Sequence, residues 1–333
     1  MKSLEVFKCI LDELEKNPEN AESCIENFIK NSPLFFFEDQ NKLDIFFEDD
    51  FIISRSILEK NKKILSYLKV MVMICEEFGK DFFDKYKTKS EEDLNIKFIA
   101  FRELHAKATL KSKAILSLLV NGYPDDAFGL WRSLFELQVI ASFLDKNQHD
   151  IAERFILWEH IINYQRANEF NNKTLNDVKK ITQEDISSLK KAEEEIIKKY
   201  NLTRPKNGFS DYEWASQALS KKGRISFYDI VCNVNLNYFY PYYSCACEKL
   251  HSSFKTNYAH LGLSQNSMGY LVGPSPYGFE DPIMFSIFSL YTVTLLFLKS
   301  EGSLENKLKI ALIGSVYNFI HKTINLNFEE TPA

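Results

Sequence analysis

Three groups of residues have the types and spacing to do chemistry. Arg154 and His160 stand six apart in Glu153-Arg-Phe-Ile-Leu-Trp-Glu-His160. An arginine and a histidine together can cleave RNA without a metal. The guanidinium stabilises charge on the phosphate while the imidazole moves a proton at the 2′-hydroxyl or the leaving oxygen. On an ideal helix this spacing turns the two about 120° apart, so a shared site requires a dimer partner or a helix end. The plainer alternative is an exposed arginine and a half-buried histidine. Tyr243, Cys247 and His251 recur at intervals of four, along one stripe of a helix. Glu248 can lie beside His251 and raise its pKa, and His260 follows nine residues later. These residues form either a site for proton transfer or binding, or a core histidine under a loop. A Cys247–His251 nucleophilic pair is disfavoured, because two groups four apart on one helix seldom aim at one substrate atom. The third group is Arg132 and Glu136, one turn apart in a stretch over residues 121–144 that is apolar on nearly every side. Such a helix belongs at the centre of a bundle, so the pair is expected to be buried. It reads as a clamp that fixes helix register, or as Arg132 facing a pocket to bind an anionic group. Arginine ahead of glutamate is the weaker order for an intrahelical pair, so partners on neighbouring helices are equally open.

Other constellations do not occur. The chain has no Gly-rich phosphate loop, no His-Glu-x-x-His and no Gly-x-Ser-x-Gly. Asp125 and Asp126 fall in the first turn of the helix that carries Arg132, where the helix dipole explains them. No metal and no cofactor is expected.

The elements that must position these groups are helical throughout. Asn17-Pro18 opens a helix running to about 30, and apolar residues at three-to-four spacing predict a long helix from 51 to about 87. Ser90 followed by Glu91, Glu92 and Asp93 predicts the start of the next, which Asn121-Gly122 stops. Pro124 then opens the helix of Arg132. A helix follows over about 150–170. Thr182-x-x-Asp185 and Ser210-x-x-Glu213 resemble capping boxes, opening helices to about 200 and 222. Further helices are expected at about 226–237, 240–253, 281–299 and 303–322. Residues 261–280 are rich in Gly, Ser and Pro, and a loop of that length is more often functional than accidental. The expectation is therefore an all-α, multi-helix bundle over residues 49–333, with an N-terminal helical extension over 1–48.

Composition agrees with that class. Gly (11) and Pro (9) are scarce for 333 residues, which disfavours many-turned β folds, while 28 Phe and 16 Tyr promise an aromatic core. A net charge of −5 argues against a surface built to coat nucleic acid, leaving room only for a local basic cleft. Cys9, Cys24, Cys75, Cys232, Cys245 and Cys247 include no Cys-x-x-Cys pair and no zinc spacing. Free thiols in a reducing cytoplasm are the expectation. Residues 282–298 run 17 positions without a charge, the lower limit for a membrane span. Ser286, Ser289, Thr292 and Thr294 give the segment a polar side, so it is read as a buried bundle helix and no membrane partner is expected.

The run from Gly122 through Arg132-Ser-Leu-Phe-Glu136 resembles the signature of a bacterial helical family of unknown function, with a small-residue turn followed by Arg-x-Leu-x-Glu. Tyr243 through His251 is similar to that family's Tyr-x-x-x-Ser-x-x-x-His, with Cys247 where the family has Ser. The resemblance covers about 95–265. More distantly, the arrangement resembles the HEPN superfamily (higher eukaryotes and prokaryotes nucleotide-binding). Many members are metal-independent ribonucleases of toxin and antiphage systems with an Arg-x4-6-His motif. Arg154 and His160 fit that spacing, with Phe155 where the motif commonly has a polar residue. The resemblance implies a cytoplasmic defence or toxin-type effector cleaving RNA in a homodimer, with Arg154 and His160 or His251 as its catalytic groups. The alternative is a non-catalytic helical module that binds a ligand or a protein through Arg132, Glu136, Tyr243 and His260.

Overall fold

A computed structural model describes residues 40–86, 95–173, 179–221, 224–250, 260–264 and 271–329, together with residues 16, 22, 23 and 26. It contains ten α-helices and no strand among the described residues, an all-α multi-helix bundle. In chain order these are α1 (Gln40–Tyr86), α2 (Ile96–Val120), α3 (Pro124–Lys146), α4 (His149–Lys173) and α5 (Gln183–Lys199). Then come α6 (Ser216–Leu219), α7 (Phe227–Asn233), α8 (Tyr240–Leu250), α9 (Glu280–Lys299) and α10 (Leu304–Glu329). The chain divides into two compact units, Met1–Ser56 and Ile57–Ala333, and the second holds every group considered below.

Helices α2, α3 and α9 pack on one another as the central triangle, with α8 on α3, α4 against α5 and α10 against α9. The reason is visible in α3. Ala127, Phe128, Trp131, Leu134, Phe135, Val139, Phe143 and Leu144 leave it almost no face for water, and all are buried. Burying each large side chain contributes roughly 2–3 kcal/mol, so few other placements of this helix compete. The polar side anticipated for 282–298 faces α3 and α1. Trp131 Nε1 donates to Ser289 Oγ at 3.1 Å, and Ser289 Oγ donates to Gln138 Oε1 at 2.7 Å. Thr294 Oγ1 lies 3.2 Å from Cys75 Sγ while also bonding Leu290 O. Helix α9 is long and apolar enough to cross a membrane by length and composition, and here it is the core partner of α3.

Local signals set several boundaries differently from the sequence reading. The Asn17-Pro18 helix and the Ser90 start lie outside the described residues; α2 begins at Ile96, where the Asn95 side chain accepts from Lys97 N. Thr182 caps α5 as expected, accepting from Asp185 N at 3.1 Å. Ser210 makes only half of a capping box. Its N–H donates to Glu213 Oε2, but its hydroxyl donates to Ile225 O, and only a 3₁₀ turn and the single-turn α6 follow. The complete box is at Ser226 with Asp229, opening α7.

One core side chain makes stability depend on pH. His105 on α2 is 3% exposed, stacks on Phe297 with ring centroids 4.5 Å apart, and leaves Nε2 without a hydrogen-bond partner among the described residues. Burial pushes its pKa down from 6.5 to about 4. The unfolded chain therefore binds this proton at a higher pH than the folded chain. The stabilisation is full above about pH 6.5 and is lost as pH falls toward 4. We expect His105 alone to cost about 2 kcal/mol between pH 7 and pH 5. Urea melts at the two pH values should show this loss in wild type and a much smaller one in His105→Phe. An equal loss in both would assign the pH dependence to other groups.

Candidate functional site

The seam between α3 and α8 carries the polar groups. The helices run antiparallel, since Asp125 meets Lys249 near one end and Glu136 meets Tyr243 near the other. Gly129 faces α8 across the seam: a Cβ there would meet the exposed Leu250 side chain 2.8 Å away at Cδ2 and lie in ordinary contact, 3.7 Å, with Lys249 Cβ.

Tyr243 is the centre of the first cluster. Arg132 Nε donates to its hydroxyl at 3.2 Å, and the hydroxyl donates to Glu136 Oε1 at 2.7 Å. Arg132 Nη2 also reaches Glu136 Oε1 at 3.1 Å. The pair therefore has both kinds of partner that the sequence left open, an intrahelical one and one from a neighbouring helix. It is not sealed in the core as expected. The Arg132 and Glu136 side chains remain 31% and 23% exposed. The Tyr243 ring itself is buried among Phe135, Phe227 and Tyr240, with centroids 5.8, 5.0 and 5.5 Å away.

Burial, and then the Glu136 hydrogen bond, push the Tyr243 pKa well above its ordinary value. Burial also raises the Cys247 thiol, even against the nearby Arg132 charge. For Arg132 burial opposes the charge, but the Tyr243 hydrogen bond and the Glu136 carboxylate outweigh it and the pKa rises. Tyr212, beside the cluster, is pushed up to about 12 by burial and by Glu136. The phenols and the thiol thus hold their protons and the guanidinium holds its charge. Such a set can recognise a charge; it has little to offer a proton in flight at neutral pH.

The second cluster surrounds Asp125, in the first turn of α3. Its carboxylate accepts from Leu261 N at 3.0 Å and Gly262 N at 3.1 Å, meets Lys249 Nζ at 2.8 Å, and lies 3.7 Å from His260 Nδ1. Helix-dipole capping alone does not describe this residue, which ties residues 260–262 to both helices. Gly122 makes the preceding turn possible. Its φ is +83°, and its carbonyl accepts from Ser275 N at 2.8 Å, closing the loop from the other side. A cavity of about 210 Å³ opens here, lined by Tyr123, Asp125, Asp126, Lys249 and His260. Sequence reasoning placed His260 in a site but missed Asp125 and Lys249 as its companions. The available signal was two adjacent acids where a helix start needs one.

The remaining candidates are not gathered here. Arg154 is buried rather than exposed: Nη1 donates to Gln217 Oε1 at 2.8 Å and the guanidinium lies 4.9 Å from the Tyr200 ring centroid. Burial lowers its pKa. His160 is exposed on the same helix, so the two diverge as the rotation per residue dictates. His251 lies outside the described residues.

Fold and site together define an all-α bundle with a polar seam along one buried helix. The chain belongs to a family of unknown function (DUF5677), whose family model matches residues 97–268. No curated protein and no solved structure matches it.

Replacing the Asp125 charge tests its role as the loop anchor. Asp125→Asn removes the charge that faces Lys249, a side chain only 10% exposed, and with it the acceptor geometry for two loop N–H groups, and is expected to cost about 3 kcal/mol. Limited proteolysis should then cut within 261–278 faster than in wild type. Unchanged cleavage and unchanged melting would remove Asp125 from that role.

Proposed function

We propose that the chain is a non-catalytic recognition module that binds the carboxylate of a ligand or protein partner at the α3–α8 seam, through Arg132. The observation that carries this reading is the Tyr243 hydroxyl held between a half-exposed Arg132 and Glu136. The guanidinium is aimed in advance and keeps N–H donors beyond the two that these partners use. Because Glu136 already offsets its charge, a monoanion suits the seam better than a dianionic phosphate. The raised pKa values of Tyr243 and Cys247 support binding over proton transfer.

The competing reading is a metal-independent RNA-cleaving effector of the HEPN kind, with Arg154 and His160 at one phosphate. It has less support, since the Arg154 guanidinium is engaged with Gln217 and Tyr200 in the interior.

Induced expression in a bacterium separates the two. We expect normal growth and intact total RNA from wild type, Arg154→Ala and His160→Ala alike. A thermal-shift panel of small carboxylates and acidic peptides should find stabilisation of wild type that Arg132→Lys reduces about tenfold in apparent affinity, because lysine cannot reproduce the fork. Discrete RNA fragments that vanish with His160→Ala would overturn the recognition reading. Stabilisation that survives Arg132→Lys unchanged would remove the seam as its site.

A further inference from the structure

Away from the α3–α8 seam, two adjoining cavities of about 520 and 680 Å³ share residues 205–210 and Arg224, forming one cleft around the loop between α5 and the 3₁₀ turn at Glu213. Their size is that of ordinary small-molecule sites. The cleft is basic in a chain of net charge −5. Arg166, Lys173, Arg204, Lys206, Lys221 and Arg224 line it, against the acids Glu169, Asp211 and Glu213.

Most of these charges are already matched. Arg166 pairs with Asp211 at 3.3 Å, Lys173 with Glu169 at 2.5 Å, and Lys221 with Asp229 at 2.6 Å. Arg204 pairs with Glu193, a carboxylate buried on α5. Glu213 is occupied by the Ser210 N–H at 2.9 Å. Two cations, Lys206 and Arg224, have no carboxylate partner among the described residues, and they are the two that line both cavities. Both side chains are exposed.

The backbone beside them is held by side chains of α4. Gln165 holds the loop with both ends of its amide: Oε1 accepts from Phe209 N at 2.6 Å and Nε2 donates to Phe209 O at 3.1 Å. Trp158 Nε1 donates to Ser210 O at 3.0 Å. Ser210 Oγ donates to Ile225 O at 3.3 Å, which draws the Arg224 segment against the loop, and Ile225 is itself 1% exposed. Phe209 and Trp158 meet edge to face at 5.4 Å and form an apolar floor. Two unmatched cations thus stand beside pinned backbone and an aromatic base, so the ordering left to binding is mainly that of their own side chains.

We propose that this cleft binds a small molecule carrying two linked phosphate groups, with Arg224 gripping one phosphate through its planar fork and Lys206 meeting the other as a point charge. The site is independent of the recognition seam and of any RNA cleavage.

Isothermal titration of the full chain with inorganic pyrophosphate tests this, beside orthophosphate and a ten-nucleotide single-stranded RNA. We expect one saturable pyrophosphate site that binds more tightly than orthophosphate and weakens as salt rises. Arg224→Gln and Lys206→Ala should each weaken it about tenfold, with Lys69→Ala as a surface control that does not. Both targeted side chains are exposed, so unchanged melting curves will show that the variants fold. Absence of saturable binding to folded wild type would overturn the proposal. So would equal binding by the Lys206→Ala/Arg224→Gln double variant. RNA that binds through these residues while pyrophosphate does not would replace the small-molecule assignment with a nucleic-acid one.

Discussion

Helix α3 is wrapped by neighbours on nearly every side and yet carries an arginine and a glutamate in its middle. A charge in such a helix must be paired, hydrogen-bonded or kept in touch with water. The Tyr243 hydroxyl meets the first two demands at once, accepting from Arg132 and donating to Glu136, and the partial opening at the seam meets the third. The rest of the bundle is arranged around this constraint. Helix α8 must approach closely enough for the phenol to reach. Its far end must be held, which the Asp125–Lys249 pair does.

The same carboxylate at Asp125 sets the long loop. Two backbone N–H groups of the loop are satisfied by a side chain at the positive end of α3, so loop, helix dipole and α8 are joined at one residue. The opposite side of α3 answers to α9 through Trp131, Ser289 and Gln138, a polar thread in an otherwise apolar interface. Such a thread stabilises little by itself, but it permits one register where plain apolar packing would allow several. The proposed recognition at the seam and the proposed phosphate binding at the α4–α5 cleft rest on the same principle. In each, side chains are positioned by backbone that is already tied down.

Much of this was legible in the sequence. The helical class, the Thr182 cap, the Gly122 stop and the core role of 282–298 follow from periodicity and capping chemistry, which act locally. Arg132, Glu136 and Tyr243, which the structure brings into contact, also stood out in the sequence as charges in an apolar helix and a stripe at intervals of four. What could not be read was exposure and distant pairing. Arg154 was expected at the surface and is buried because Gln217 and Tyr200, 63 and 46 residues on, accept it. Asp125 looked like a helix-dipole acid because its partners at 261 and 262 are more than a hundred residues away. Ser210 had the letters of a capping box, but Ile225 O drew its hydroxyl elsewhere.

Tyr243 couples α8 to the charged pair on α3. A double-mutant cycle in urea with Tyr243→Phe and Glu136→Gln measures that coupling directly. We expect an interaction energy of at least about 1 kcal/mol, as for a charge-assisted bond between largely buried groups. Additivity within about 0.5 kcal/mol would contradict it and reduce the seam to a coincidence of neighbouring side chains.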